Sequence, residues 1–350
     1  MKKVKVGVVG IGSIAHMFHL DNYRDHPEVE LVAVADIDKE RAISVAAEYG
    51  GIVAYGSAKE MFEAEDLDAV SICTFNNSHV ELALLALKHG LDVLLEKPMA
   101  MNMEEAESLK AAESASDNLV MIGMSHRYRN DSQVIQRTVE SGELGHIYFA
   151  KTKILRRRGV PVGWFTDNQY SGGGPMKDIG VHVLDLAWWM MGKPEPDKVV
   201  GKLFREIAPY GDDASFPYVA HSKENKEEGL YNVEDLGVAF ITFKNGAVLT
   251  VEASWAINGS QDDAVKVELF GTKGGATLEP LTLFRDTGGI PVEHSLGVPE
   301  ADFYKKEIGH FIDCVQQRKK PLSDVEQGAT VTSLLEAIRI SSESNDIFKY

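Results

Sequence analysis

The stretch Val4–Val9, VKVGVV, runs straight into Gly10-Ile11-Gly12-Ser13-Ile14-Ala15, and this junction decides the fold. A short β-branched run that breaks into GxGxxA and then opens a helical pattern is a strand, a tight turn and a helix. Gly10 permits the turn, Gly12 lets a backbone come close to a pyrophosphate, and the small Ala15 allows the helix to pack on the strand. The N–H groups of the turn, around Ser13 and Ile14, coincide with the positive end of the helix dipole and suit a diphosphate. Asp36 closes the next apolar run, 24 positions after Gly12. Its carboxylate accepts a hydrogen bond from a ribose hydroxyl and repels a 2′-phosphate, so NAD is expected over NADP. No Walker A sequence occurs, which removes the P-loop alternative.

Working outward, residues 31–35, 69–73, Asp92–Leu95 and 119–122 repeat the apolar run, with helix-length segments between most of them. Continuous apolar runs suit strands covered on both faces, and their alternation with helices predicts a doubly wound parallel sheet. Asn102 followed by Glu105 predicts a capping box that opens a helix over 103–116. After residue 125 the texture changes. Residues 237–243, 247–257, 265–270 and 276–278 alternate, with Leu249, Val251, Ala253, Trp255 and Ile257 on one side of the second of these. Helical patterns cover 132–141, 178–191, 303–318 and 324–344, and the polar stretch 210–231 reads as a long surface loop. The expected architecture is α/β throughout. A Rossmann domain over 1–124 precedes a second α/β domain, 125–350, with an open and mostly antiparallel sheet.

Composition narrows the partners. With 36 Lys and Arg against 53 Asp and Glu, the formal charge is −17, which repels nucleic-acid backbones and anionic membranes. The two cysteines, Cys73 and Cys314, stand far apart and outside any Cys/His cluster, so neither a disulfide framework nor a metal site is expected. The basic start lacks a cleavage signal and no run approaches ~20 apolar residues, so a cytoplasmic protein is expected.

Further motifs sit where the expected strands end. The fourth runs into Thr74-Phe75-Asn76 and His79, the fifth into Glu96-Lys97-Pro98. Downstream stands Gly172-Gly173-Gly174-Pro175-Met176-Lys177-Asp178, followed by Gly180, His182 and Asp185. In this order, behind the glycine turn, these motifs resemble the glucose-fructose oxidoreductase/inositol dehydrogenase/MocA (Gfo/Idh/MocA) family over nearly the whole chain. Phe75 departs from the proline common there. The resemblance implies hydride transfer between a nicotinamide and a secondary alcohol of a sugar, inositol or related polyol, in homodimers or homotetramers built on the second sheet. It implies Lys97, Asp178 and His182 near the reacting carbon, and Thr74, Asn76, His79, Glu96 and Lys97 around the cofactor. Arg127, Tyr128 and Trp164 are expected on the substrate side.

A secondary alcohol gives up a hydride and a proton, so the site needs a base. Asp178 and His182 are four residues apart and would share a helix face. An imidazole titrates near ~6.5 and accepts a proton at neutral pH, which favours His182, with Lys97 the alternative. A dinucleotide-sensing regulator without turnover and an NAD-assisted glycosidase use the same scaffold and stay open at this level. His16 and His19 in the first helix read as surface or packing residues, and Arg156-Arg157-Arg158 as a solvated strand end.

Overall fold

The fold is described from a computed structural model over residues 3–161, 163–207, 230–260 and 262–350. Residues 210–229 of the expected surface loop lie outside that set. Two compact units emerge: one comprises residues 3–125 together with Asp302–Thr332, and the other holds the remaining described residues.

The first unit is built on a six-stranded sheet, all its pairs parallel. Its strands are β1 (Val4–Val9), β2 (Val29–Ala35), β3 (Val53–Tyr55), β4 (Ala69–Ile72), β5 (Asp92–Leu95) and β6 (Val120–Ile122), in the order β3-β2-β1-β4-β5-β6. The order reverses between β1 and β4, which opens a crevice at their carboxyl ends. β1, β4 and β5 are buried along almost their whole length, as their unbroken apolar runs require. The helix Met103–Ser114 starts at the expected capping box: Asn102 accepts from the Glu105 N–H (2.9 Å), and Glu105 accepts from the Met101 N–H (2.9 Å).

Asp302–Thr332 returns to this sheet, although the expected cut assigned everything after 124 to the second domain. Strand β6 is an edge strand with all three residues buried, so it needs a cover that the first 124 residues do not provide. Ser323 supplies the edge partner. Its carbonyl accepts from the Ile122 N–H (2.8 Å), and its hydroxyl donates to the Ile122 carbonyl (2.6 Å). At Gly328 a Cβ would fall 2.6 Å from Met99 Sδ, so the helix Val325–Ser344 lies against this core at a position only glycine fits.

The second unit holds a nine-stranded sheet: β7 (Ile147–Leu155), β8 (Pro196–Phe204), β9 (Leu236–Phe243), β10 (Val248–Ser254), β11 (Asp262–Gly271), β12 (Gly274–Thr277), β13 (Thr282–Thr287), β14 (Ile290–Ser295) and β15 (Phe348–Lys349). The order is β14-β13-β12-β11-β7-β10-β9-β8-β15, antiparallel except where β10 pairs with β7. The sheet is therefore mixed, with antiparallel pairs in the majority. Leu249, Val251, Ala253 and Trp255 are buried as their alternation predicts. The helix Val181–Met190 covers that face and is apolar nearly all round, with Trp188 and Trp189 both in the core. On the opposite face Val200, Phe240, Thr250, Lys151 and Glu268 stand side by side across five strands. Among the described residues no helix is long and apolar enough to cross a membrane.

Two helices open on π turns rather than α turns: Ala15–Leu20, after the glycine turn, and Met176–Gly180, ahead of Val181–Met190. The helix expected over 178–191 thus begins with a wide turn that contains Asp178. Gly180 lets that turn lie on β10, since a Cβ there would stand 3.1 Å from the Ala253 Cβ.

Candidate active site

In the first unit Gly10 has φ +81°, and a Cβ on it would meet the Cys73 carbonyl at 2.8 Å and Thr74 Cγ2 at 2.7 Å. The turn is closed against any larger residue. Around Gly12, by contrast, nothing lies within 4 Å of a Cβ position. Backbone next to open space is what a diphosphate needs, so these residues fit a dinucleotide. Asp36, buried at the end of β2, accepts from the Ile11 N–H through Oδ2 and from the Asp38 N–H through Oδ1, both at 2.8 Å. Arg41 Nη1 stands 3.7 Å from the same carboxylate. That cation, not singled out in the sequence, weakens the exclusion of a 2′-phosphate argued from Asp36 alone.

After β4, the Ser78 hydroxyl donates to Thr74 Oγ1 (2.8 Å), and Asn76 is buried in the short 3-10 turn Asn76–Ser78. His79 is buried: Nδ1 donates to the Pro98 carbonyl (2.8 Å), and Nε2 lies 3.1 Å from the Thr74 carbonyl. It braces the two strand-end loops, those of Thr74 and Pro98. Burial, set against those two carbonyls, holds its imidazole below the usual value.

Glu96 likewise turns inward. Its Oε1 meets His19 Nε2 (2.9 Å), and its Oε2 accepts from the Lys97 N–H (3.1 Å). Alternation at the strand end sends Glu96 into the core and leaves Lys97 half-buried. His19, read as surface or packing, is only 1% exposed. Burial alone would push Glu96 up, but His19 and Lys97 hold it below the ordinary carboxylate value. The Cys73 thiol is pushed up by burial, which keeps it protonated and unreactive.

Glu307, on the helix Phe303–Gln317, is buried with Oε1 lacking any hydrogen-bond partner, and burial plus the nearby Glu96 push its carboxyl well above the usual range. The folded state keeps this proton while an unfolded chain releases it above about pH 4.3. Folded protein then binds more protons than unfolded protein, so stability falls as pH rises. Glu307→Gln removes that slope: in thermal melts, its Tm advantage over the wild type is expected to grow from pH 4.5 to pH 8, and a constant difference would refute the neutral carboxyl.

In the second unit Asp178 Oδ2 accepts from the indole N–H of the wholly buried Trp255 (3.1 Å). Glu234 caps the same wide turn, accepting from the Gly174 N–H (2.8 Å) and the Met176 N–H (3.2 Å). Burial outweighs these bonds and raises its carboxyl. A Cβ on Gly174 would lie 2.1 Å from the Glu234 carbonyl oxygen, which explains the third glycine of the run. The His182 ring meets the His126 ring edge-on, centroids 4.8 Å apart.

Arg127 and Tyr128, expected on the substrate side, sit in the interior of the second unit. Both are buried, and Arg127 grips Asp185 through Nε (2.9 Å) and Nη2 (2.6 Å) beneath the Trp189 ring. A guanidinium with no exposed surface orients the helix that carries His182. Trp164 stacks on Phe165 with ring centroids 4.1 Å apart. Arg156 pairs with Asp263 (2.8 Å), and Arg158 donates to the Ile257 carbonyl (2.9 Å).

Residues 4–124 match the family described as "Oxidoreductase family, NAD-binding Rossmann fold", and residues 132–277 match the GFO/IDH/MocA C-terminal domain. D-glucoside 3-dehydrogenase of Escherichia coli (strain K12) is 32% identical over 344 residues, 97% of this chain and 96% of that one. Myo-inositol 2-dehydrogenase of Thermotoga maritima is 23% identical, over 97% of this chain and 96% of its own. A levoglucosan dehydrogenase structure, a complex with NADH and levoglucosan, superposes with a TM-score of 0.85 at 20% identity, covering 99% of each chain. With both of its domains matched in order, and a relative above 30% identity end to end, the chain belongs to the GFO/IDH/MocA family of NAD-binding oxidoreductases.

Proposed function

We propose that the protein transfers a hydride from a secondary hydroxyl of a sugar, inositol or related polyol to NAD, with position 3 of a D-glucoside the first candidate. The likeness to the E. coli D-glucoside 3-dehydrogenase across almost all of both chains carries this reading. The turn at Gly10 and Gly12 would receive the diphosphate, and Asp36 a ribose hydroxyl. Bound NAD supplies the hydride acceptor. His182 takes the hydroxyl proton on an imidazole nitrogen, and Lys97 holds the reacting oxygen through its ammonium group. Asp178, its carboxylate fixed by Trp255, orients a neighbouring hydroxyl or the imidazole.

Purified protein incubated with glucosides, free sugars and inositols, with NAD and with NADP, tests the class by nicotinamide absorbance. Reduction with a D-glucoside and NAD is expected; no reduction of either dinucleotide across the panel overturns it. Asp36→Ala removes a charged acceptor, so affinity for NAD is expected to fall about tenfold or more. Relative use of NADP should rise with Arg41 beside the vacated position. A wild-type preference for NADP would contradict the role given to Asp36.

A further inference from the structure

Beneath the Glu96-Lys97-Pro98 turn, the first unit buries a chain of polar groups that leads away from Lys97. The Lys97 main-chain N–H donates to Glu96 Oε2, and Glu96 Oε1 meets His19 Nε2. His19 Nδ1 lies 3.2 Å from Ser71 Oγ, which lies 2.6 Å from the Tyr23 hydroxyl. Tyr23 and Ser71 have no exposed surface. Burying an ionised carboxylate costs several kcal/mol of desolvation per ion even after relaxation. Strands β1, β4 and β5 are otherwise buried and almost wholly apolar. The network is therefore expensive as mere packing. Gly123 adds a second sign, because a Cβ there would stand 3.3 Å from Glu96 Oε1, and the absent side chain leaves the carboxylate its room.

We propose that Glu96 is a positioning residue for Lys97, and that His19, backed by Ser71 and Tyr23, sets Glu96. The proposal rests on the reading of Lys97 as a group that meets the reacting oxygen. A carboxylate anchored through both oxygens has one orientation, and it pins the peptide N–H from which the Lys97 side chain springs. The lysine's charge also acts on this carboxylate. Other groups with an electrostatic bearing on Glu96 leave it the dominant charge: Glu307 keeps its proton, the Cys73 thiol keeps its own, and burial disfavours a charged His79. His19 reaches the carboxylate from the wide turn Ala15–Leu20, and such turns recur at functional sites.

The test compares Glu96→Gln, His19→Leu and His19→Gln with Lys97→Met. It reads kcat, sugar KM, NAD affinity by calorimetry, and the primary isotope effect with substrate deuterated at the reacting carbon. Misplacing a reacting group by about 1 Å costs on the order of 100-fold, so Glu96→Gln and His19→Leu are expected to lose about 10- to 100-fold in kcat. KM and NAD affinity should stay near wild type, and the isotope effect should rise as chemistry becomes limiting. His19→Gln, which can still offer an N–H to Glu96, should recover most of the loss. If Lys97→Met abolishes turnover while folded Glu96→Gln and His19→Leu keep the wild-type kcat and isotope effect, the positioning role is overturned and the reading of Lys97 survives. Full turnover by Lys97→Met overturns that reading instead. Gly123→Ala removes no polar group and presses the carboxylate by a few tenths of an ångström, so it serves where the others fail to fold. Unchanged kcat and isotope effect in that variant also count against the proposal.

Discussion

Replacing His182 by alanine is expected to lower kcat about 10²- to 10⁴-fold, the usual contribution of a positioned base. NAD affinity should stay within measurement error, because the glycine turn and Asp36 lie on other elements. The helix that carries His182 is buried along its length, and the ring packs edge-on against His126, so truncation leaves a local gap and the helix in place. Melting temperature therefore separates a chemical loss from a collapsed protein. A folded His182→Ala protein with wild-type turnover would remove His182 as the base and leave Lys97 as the acceptor to test.

Arg127→Leu is expected to destabilise the second unit by about 3–5 kcal/mol, because it strands the buried Asp185 carboxylate without its cation. Domains of this size shift by about 2–4 °C per kcal/mol, so the associated transition should drop by roughly 6–20 °C. The pair itself is a weak source of stability, since its attraction mainly repays its own desolvation. Arg127→Leu combined with Asp185→Leu should thus recover much of the loss, and calorimetry on the wild type, the single and the double variant measures it. Equal Tm values for Arg127→Leu and wild type would mean that water or another group relieves Asp185. Because Asp185 stands one turn beyond His182, the single variant should also depress kcat at temperatures where it remains folded.

Much of the fold was legible because its physics is local. β1 and β5 are short, apolar and covered on both faces, so no polar residue interrupts them. β3 escaped notice because Val53–Tyr55 is a three-residue edge strand, half exposed, whose pattern resembles a loop. β7 buries Ile147, Ala150, Thr152 and Ile154, but the alternation slips by one residue after Ile147, and Ala150 and Thr152 are too weakly apolar to stand out against Lys151 and Lys153. Among the candidate residues, Lys97, Asp178 and His182 were marked by their motifs, whereas the groups that hold neighbouring residues were not. His19 contacts a residue 77 positions away and Trp255 another 77 positions from Asp178. Contacts of that separation leave no periodicity to read. The inward turn of Glu96 and the burial of Arg127 depended on the same tertiary information.

The return of Asp302–Thr332 to the six-stranded sheet also bears on how the protein is made. At about 5–20 residues per second, a ribosome delivers this segment on the order of ten seconds or more after β6 has emerged. Throughout that interval the edge of β6 lacks Ser323, and Met99 and Ile122 lack the helix that meets them at Gly328. The nucleotide-binding half, although translated first, therefore cannot be completed until the segment from residue 302 onward has been made. Until then β6 presents an unpaired strand edge, the kind of surface on which chains pair wrongly.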